Sequence, residues 1–391
     1  MKRLIASLIL SILIAPALAV PWTEFAVAPS AEGQESPDVD GAKIVWQQFV
    51  DHGPDGSDWD VFLIDRGAAQ PTAYNLNSYW YIGNQQGPAI HQNHVVWEDD
   101  FFGDWDIQMA DVTNPALPVE TAVAAYELSD QQSAAIYGDI VVWQDDWYAQ
   151  DGNTEDFDIW AADVTDPDNP YPFLVALYVE LEQQAPVIYS RTVVWQDNYF
   201  GNWDIFAADV VVPEEPPIEH TISDYEYDQQ SPSIWGDIVA WQESAEGNWQ
   251  IWAADISDPD APREFSVVEA ASHQTNPDVG DNIIVWQDFR NGKDWDIYGY
   301  NITTRREFRI TDDAADQTNP AVSGNLVVWQ DDRGGRWNIY AVELSGPEAA
   351  RCIIRPAYDV NGDCVVNLAD LAGIAASWLE CGLDVPEACF N

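Results

Sequence analysis

Apolar residues along this chain fall in short dense blocks, without the 3.6-residue spacing of a helix. "NLVVWQDDRGGRWNIYAVEL" spans residues 325–344, "IIVWQDFRNGKDWDIYGYNI" begins at Ile283, and looser versions run back to "KIVWQQFVDHGPDGSDWDVFLID" from Lys43. Gly, Asn, Asp and Pro bound each block, which reads as strand and turn. Superposed on their V-W cores, the copies centre on Trp46, Trp97, Trp143, Trp195, Trp241, Trp286 and Trp329, separated by 51, 46, 52, 46, 45 and 43 residues. A period of about 40–50 residues marks one supersecondary unit that buries its faces only by stacking on copies of itself.

Each unit has the same internal order. A glutamine opens it (Gln34, Gln85, Gln131, Gln183, Gln229, Gln274, Gln317), followed by a short strand, a tight turn and the Trp strand. A polar hairpin tip, a strand of the D-W-D-I-Y type, a Pro/Asp-rich connection and a last strand complete it, making four strands. The Trp strand is apolar on both faces, so its sheet must lie between two others. Radial closure achieves this for every sheet and predicts an all-β, seven-bladed β-propeller. The chain ends support the count. The last unit stops near Leu344 with three strands, while "EFAVAPSAEGQESP" from Glu24 aligns with "EFRITDDAADQTNP" from Glu307, a fourth strand running into the next unit. An N-terminal strand is therefore expected to close the last blade and leave no open edge. A linear solenoid is the competing architecture and has no use for matched ends.

Composition narrows the partners. With 47% hydrophobic residues and 20 Trp the chain can fill large cores. Its 15 Lys+Arg against 67 Asp+Glu give a formal charge of −52, a field that repels phosphate backbones and anionic lipid, so nucleic acid is not expected as a partner. Lys2 and Arg3 precede the apolar run Leu4–Ala15, and Ala17-Leu18-Ala19 reads as a cleavage site. The run is too short to span a bilayer core of about 30 Å. The expectation is a signal peptide over 1–19, a propeller over 20–345, a linker over 346–356 and a small module over 357–391, secreted or held at the cell surface, with no membrane span.

The unit pattern, with Pro opening the first strand, an apolar second strand, an R-x-G turn and D-I-Y on the third, resembles the TolB-type, WD40-like propeller repeat. The match is closest over 276–302, where Arg290, Gly292, Asp296, Ile297 and Tyr298 fall on the family positions. This chain departs in carrying Trp on the second strand throughout, and in a ring of seven where the namesake commonly has six. The resemblance implies a fold with many uses, chiefly binding platforms and some lyases or peptidases.

Positions repeated in all units read as structural, with the repeated Gln and Asp fastening blade to blade, so function is sought where units differ. The hairpin tips differ: Phe101 and Phe102, Trp147 and Tyr148, Tyr199 and Phe200, and Phe289 with Arg290. Aromatic rings on polar tips suit a contact surface, with flat rings stacking on sugars and nearby acids bonding hydroxyls. Catalysis finds little support: the five histidines share no repeat position, neither G-x-S-x-G nor H-E-x-x-H occurs, and no catalytic residue is assigned. The leading expectation is a monomeric, non-catalytic binding or scaffold propeller for a polysaccharide or cell-surface protein. A polysaccharide lyase or glycoside hydrolase is the alternative, and a cluster of His, Arg and Tyr at the channel mouth would favour it.

The tail holds a sharper motif. "DVNGDCVVNLADL" (359–371) sets oxygen ligands Asp359, Asn361, Asp363, Asn367 and Asp370 at loop positions 1, 3, 5, 9 and 12, with the Val365 carbonyl at position 7, a spacing suited to Ca2+. It resembles a dockerin-type calcium loop, which implies a cohesin-like partner. Position 6, usually Gly, is Cys364, and the dockerin's second loop is missing. Cys352, Cys364, Cys381 and Cys389 are all the cysteines of the chain. In an exported protein they read as disulfides, with three connectivities open and Cys352–Cys389 with Cys364–Cys381 the preferred one.

Overall fold

The computed structural model describes residues 22–345 apart from 78–82, 128, 148–156, 177–180, 211–216 and 246. The expected signal segment at 1–19, the expected calcium loop at 359–371, all four cysteines and Tyr148 lie outside the described residues. Within them the chain forms seven four-stranded antiparallel sheets, the blades of a β-propeller. In blade one the inner strand is Gln34–Asp40, followed outward by Lys43–Asp51, Ser57–Asp65 and Ala73–Asn75. The other inner strands are Gln85–His91, Gln131–Tyr137, Gln183–Tyr189, Gln229–Trp235, Gln274–Gly280 and Gln317–Ser323. Phe25 and Ala26 pair with Ala341 and Tyr340 as the outer strand of blade seven, the closure that the matched ends predict.

Seven cores, each shared by two neighbouring blades, hold the ring together. Alternation along the second strand explains how. In blade one, Ile44 and Trp46 pack with Val328 and Ile339 of blade seven, while Val45 turns the other way onto Val95 and Trp97 of blade two. Successive side chains of a strand point to opposite faces, so an unbroken apolar run serves two interfaces. All seven repeated tryptophans are at most 1% exposed, and truncating one to Ala removes about 3–5 kcal/mol by the usual core cost.

A polar ring lies inside the apolar one. Every inner strand has a bulge after its second residue, and the third residue sits in the left-handed region, from φ 49° at Asn319 to 58° at Gly87. Its N–H donates to the side-chain oxygen after the preceding blade's repeated tryptophan, a glutamine in six blades and Glu98 in blade two: Gly87 N to Gln47 Oε1 (3.0 Å), Ser133 N to Glu98 Oε1 (2.6 Å), Ala185 N to Gln144 (2.9 Å), and so on around to Ser36 N, which reaches Gln330 (3.2 Å). Without this acceptor the bulge would bury an unpaired donor. The expected fastening by glutamine is present; of the glutamines that open the units, Gln274 Nε2 bonds Asp288 within its own blade (2.9 Å), while Gln34 Oε1 accepts the Ile339 N–H of blade seven (3.2 Å).

Candidate functional site

Two ends of the central channel come into question. Hairpin tips and blade-to-blade connections share one face, and the turns after the inner strands form the other. On the tip face Phe101, Phe102, Trp147, Tyr199 and Phe200 are exposed. Their ring contacts are local: Phe101 on Phe102 (4.8 Å), Trp147 on Tyr126 (5.7 Å), Tyr199 on Phe200 (5.1 Å). Phe289 packs on Trp295 (5.2 Å) and is half-buried. Arg290 lies inside blade six, where its guanidinium spans Asp288 and Glu307 at 2.5 Å each and covers the Tyr298 ring. Arg333 repeats this in blade seven with Asp331 and Glu24, so the N-terminal segment supplies the second acid.

The channel itself is divided. At the middle of the inner strands, Ser233, Asp278, Ala321 and Asp38 stand on blades five, six, seven and one, and Ala89, Ala135 and Val187 on blades two to four. The cavity here has a volume of 440 Å³ and is lined by Asp38, Asp278, Ser233 and the alkyl side chains opposite. Asp38 accepts the N–H groups of Ile90 and Val39 (2.8 Å each). Asp278 accepts the Ser233 hydroxyl and the Val322 N–H (2.7 Å each). Both are mostly buried, with a minor part of the side chain open to the channel. Burial pushes the Asp38 carboxyl up to about 7, with the Asp278 charge adding to it, and burial pushes Asp278 up to about 6.

Two residues further along, about 6.6 Å at strand rise, the same division recurs with larger groups. His91, Tyr137, Tyr189 and Trp235 end the inner strands of blades two to five. Their ring centroids follow at 4.1, 4.7 and 5.1 Å, a continuous aromatic arc. Opposite stand Gly280, Ser323 and Asp40. Gly280 is required there, because a Cβ would come 2.4 Å from the Val322 carbonyl oxygen. Burial lowers the His91 pKa, which keeps the imidazole neutral near pH 7, and pushes the Tyr189 phenol up to about 12. A flat ligand at this mouth would meet π-faces on one side and acceptors on the other, with a neutral imidazole, phenols and carboxyl groups of displaced pKa within one or two layers.

These residues escape a search confined to the tips. Their signal is nonetheless in the sequence: the residue ending the inner strand reads Asp40, His91, Tyr137, Tyr189, Trp235, Gly280, Ser323 from unit to unit, while its neighbours hold steady.

No family model matches the chain and no curated protein matches it. Solved structures do. The propeller domain of the trilobed protease from Pyrococcus furiosus is 11% identical with a TM-score of 0.57, covering 82% of this chain and 95% of that one. A prolyl endopeptidase matches at 12% and 0.61 over 80% of this chain and 47% of its own, so the present chain spans about half its length. Oligogalacturonate lyase from Vibrio parahaemolyticus matches at 12% and 0.58, covering 85% and 96%. At such identity the likeness is one of fold, the propeller that the repeat resemblance implies. It corrects the expectation of a non-catalytic scaffold, since the propellers this chain is similar to belong to peptidases and a lyase.

Proposed function

We propose that this chain is an enzyme-type propeller working at its central channel, and that its substrate is a neutral oligosaccharide cleaved by acid–base hydrolysis. The segregated channel supports the reading: an aromatic arc for the apolar face of a sugar ring, and carboxyl groups opposite for its hydroxyls. Asp38, about half protonated at pH 7 and more so below it, would give its proton to the leaving glycosidic oxygen. Asp278, ionised above about pH 6, would take one from the attacking water. The lyase among the similar folds is nearly all propeller, which supports carbohydrate chemistry on a chain of this size. A uronate is disfavoured, because a channel carrying two acids in a protein of formal charge −52 repels it. Export and a calcium-holding tail, both read from sequence, belong to the same proposal.

The test is product analysis of neutral oligosaccharides incubated with the full chain and with Tyr189→Ala. The reading expects shortened products from the wild type and a tenfold or larger rise in KM for the variant, as expected for a lost stacking ring. No cleavage of any neutral glycan, or an unchanged KM in Tyr189→Ala, overturns it.

A further inference from the structure

Among the described residues, the hairpin tip of blade one stands apart. Its two strands, Lys43–Asp51 and Ser57–Asp65, have nine residues each, and the tip brings His52, Asp58 and Asp60 together with one ligand atom from each inside 4.8 Å of the others. His52 Nε2 is 2.6 Å from Asp58 Oδ1 and 3.7 Å from Asp60 Oδ2. We propose that these three side chains bind one first-row divalent metal ion of the zinc or manganese class.

Geometry is the first argument. Ligands about 2.0–2.2 Å from a metal, at tetrahedral or octahedral angles, lie roughly 3.0–3.5 Å from one another. The two measured separations bracket that range. Asp58 and Asp60 are two residues apart on one strand and so share a face, which presents both carboxylates to the imidazole.

The second argument is a missing cation. In blade six the buried Asp296 is met by Arg309 at 2.8 Å. Register places Asp60 opposite Gln48 as Asp296 is opposite Asp288. Arg309 pairs with Tyr298, and at the same place in blade one Asn75 pairs with Phe62. Blade one therefore buries the equivalent acid, 2% exposed, and adds Asp58, 3% exposed, with an amide where blade six has a guanidinium. Two buried carboxylates with at most one imidazolium leave negative charge to be met.

The third is support from behind. Asn75 Nδ2 donates to Asp60 Oδ2 (2.7 Å), Asn77 Nδ2 to Asp60 Oδ1 (2.8 Å), and the Gly83 N–H to Asp58 Oδ2 (3.0 Å). Such outer contacts fix the direction of ligating carboxylates. One nitrogen with two carboxylates favours zinc or manganese over calcium, which prefers an all-oxygen shell.

The experiment uses the full chain stripped by chelator. Zn2+ is titrated calorimetrically in millimolar Mg2+, and Co2+ is followed by visible absorption. The expected result is one site whose affinity falls at least a hundredfold in His52→Ala and ten- to a hundredfold in Asn77→Ala. The Co2+ bands should also vanish in His52→Ala while circular dichroism stays unchanged. Absence of a Zn2+ site in the wild type, or equal affinity in His52→Ala, overturns the proposal and leaves the cluster a His52–Asp58 hydrogen bond.

Discussion

The side chain after each repeated tryptophan does one task seven times, as glutamine in six blades, and the exception is informative. Blade two has Glu98, which accepts the Ser133 N–H at 2.6 Å and the Gln86 amide at 3.0 Å. Burial raises its pKa above the ordinary carboxyl range, so ionising it in the fold is unfavourable. Glu98→Gln keeps the acceptor and removes the charge. The expected outcome is a higher Tm at pH 8 and little change at pH 4, checked by calorimetry; a lower Tm at pH 8 would mean the carboxylate is needed as a charge. At this scale the sequence is readable wherever units agree, because a residue kept at one register position meets the same neighbours in every blade. It is less readable where a side chain turns back from the tip into the sheet, as for Arg290. That residue looks like a tip residue, but its short reach back to Asp288 and across to Glu307 holds it inside the blade.

At the scale of the strand pair, blades diverge in how they treat opposed acids. Asp99 faces Asp106, Asp145 faces Asp158 and Asp197 faces Asp204 across the second and third strands. The position that is Arg290 or Arg333 in blades six and seven is Phe101, Trp147 or Tyr199 in these three. Burial pushes Asp106 and Asp204 up to about 7, and Asp145 and Asp197 up to about 6. A carboxyl with a raised folded pKa holds its proton more tightly than in the unfolded chain. Stability is therefore greatest near pH 4 and falls as pH rises through about 6–7. Thermal unfolding from pH 5 to pH 8 should show a decreasing Tm, worth on the order of a few kcal/mol. A flat profile would show that the pairs are held ionised by something other than their neighbours. These pairs are visible in the sequence as an Asp two residues after each Trp-strand tryptophan and an Asp right after the aromatic residue that leads into the third strand, but their mutual distance follows only from register.

At the scale of the whole molecule, closure was the most legible feature. Period, strand order and the matched ends at Glu24 and Glu307 determine seven blades, because a sheet apolar on both faces has to be covered on both. The channel was not legible. Its lining comes from one residue in each distant unit, and only the ring turns Asp38, Asp278 and the arc from His91 to Trp235 into two opposed halves. The tips, being conspicuously aromatic, drew the functional reading to the opposite face from this channel mouth. The central claim is that chemistry takes place in this channel and depends on a carboxyl group kept protonated there. The most direct test is the turnover of a cleaved neutral oligosaccharide by Asp38→Asn, with binding and folding measured on the same sample. A loss of at least a hundredfold in kcat with binding retained is the predicted result, and full turnover by Asp38→Asn would contradict it.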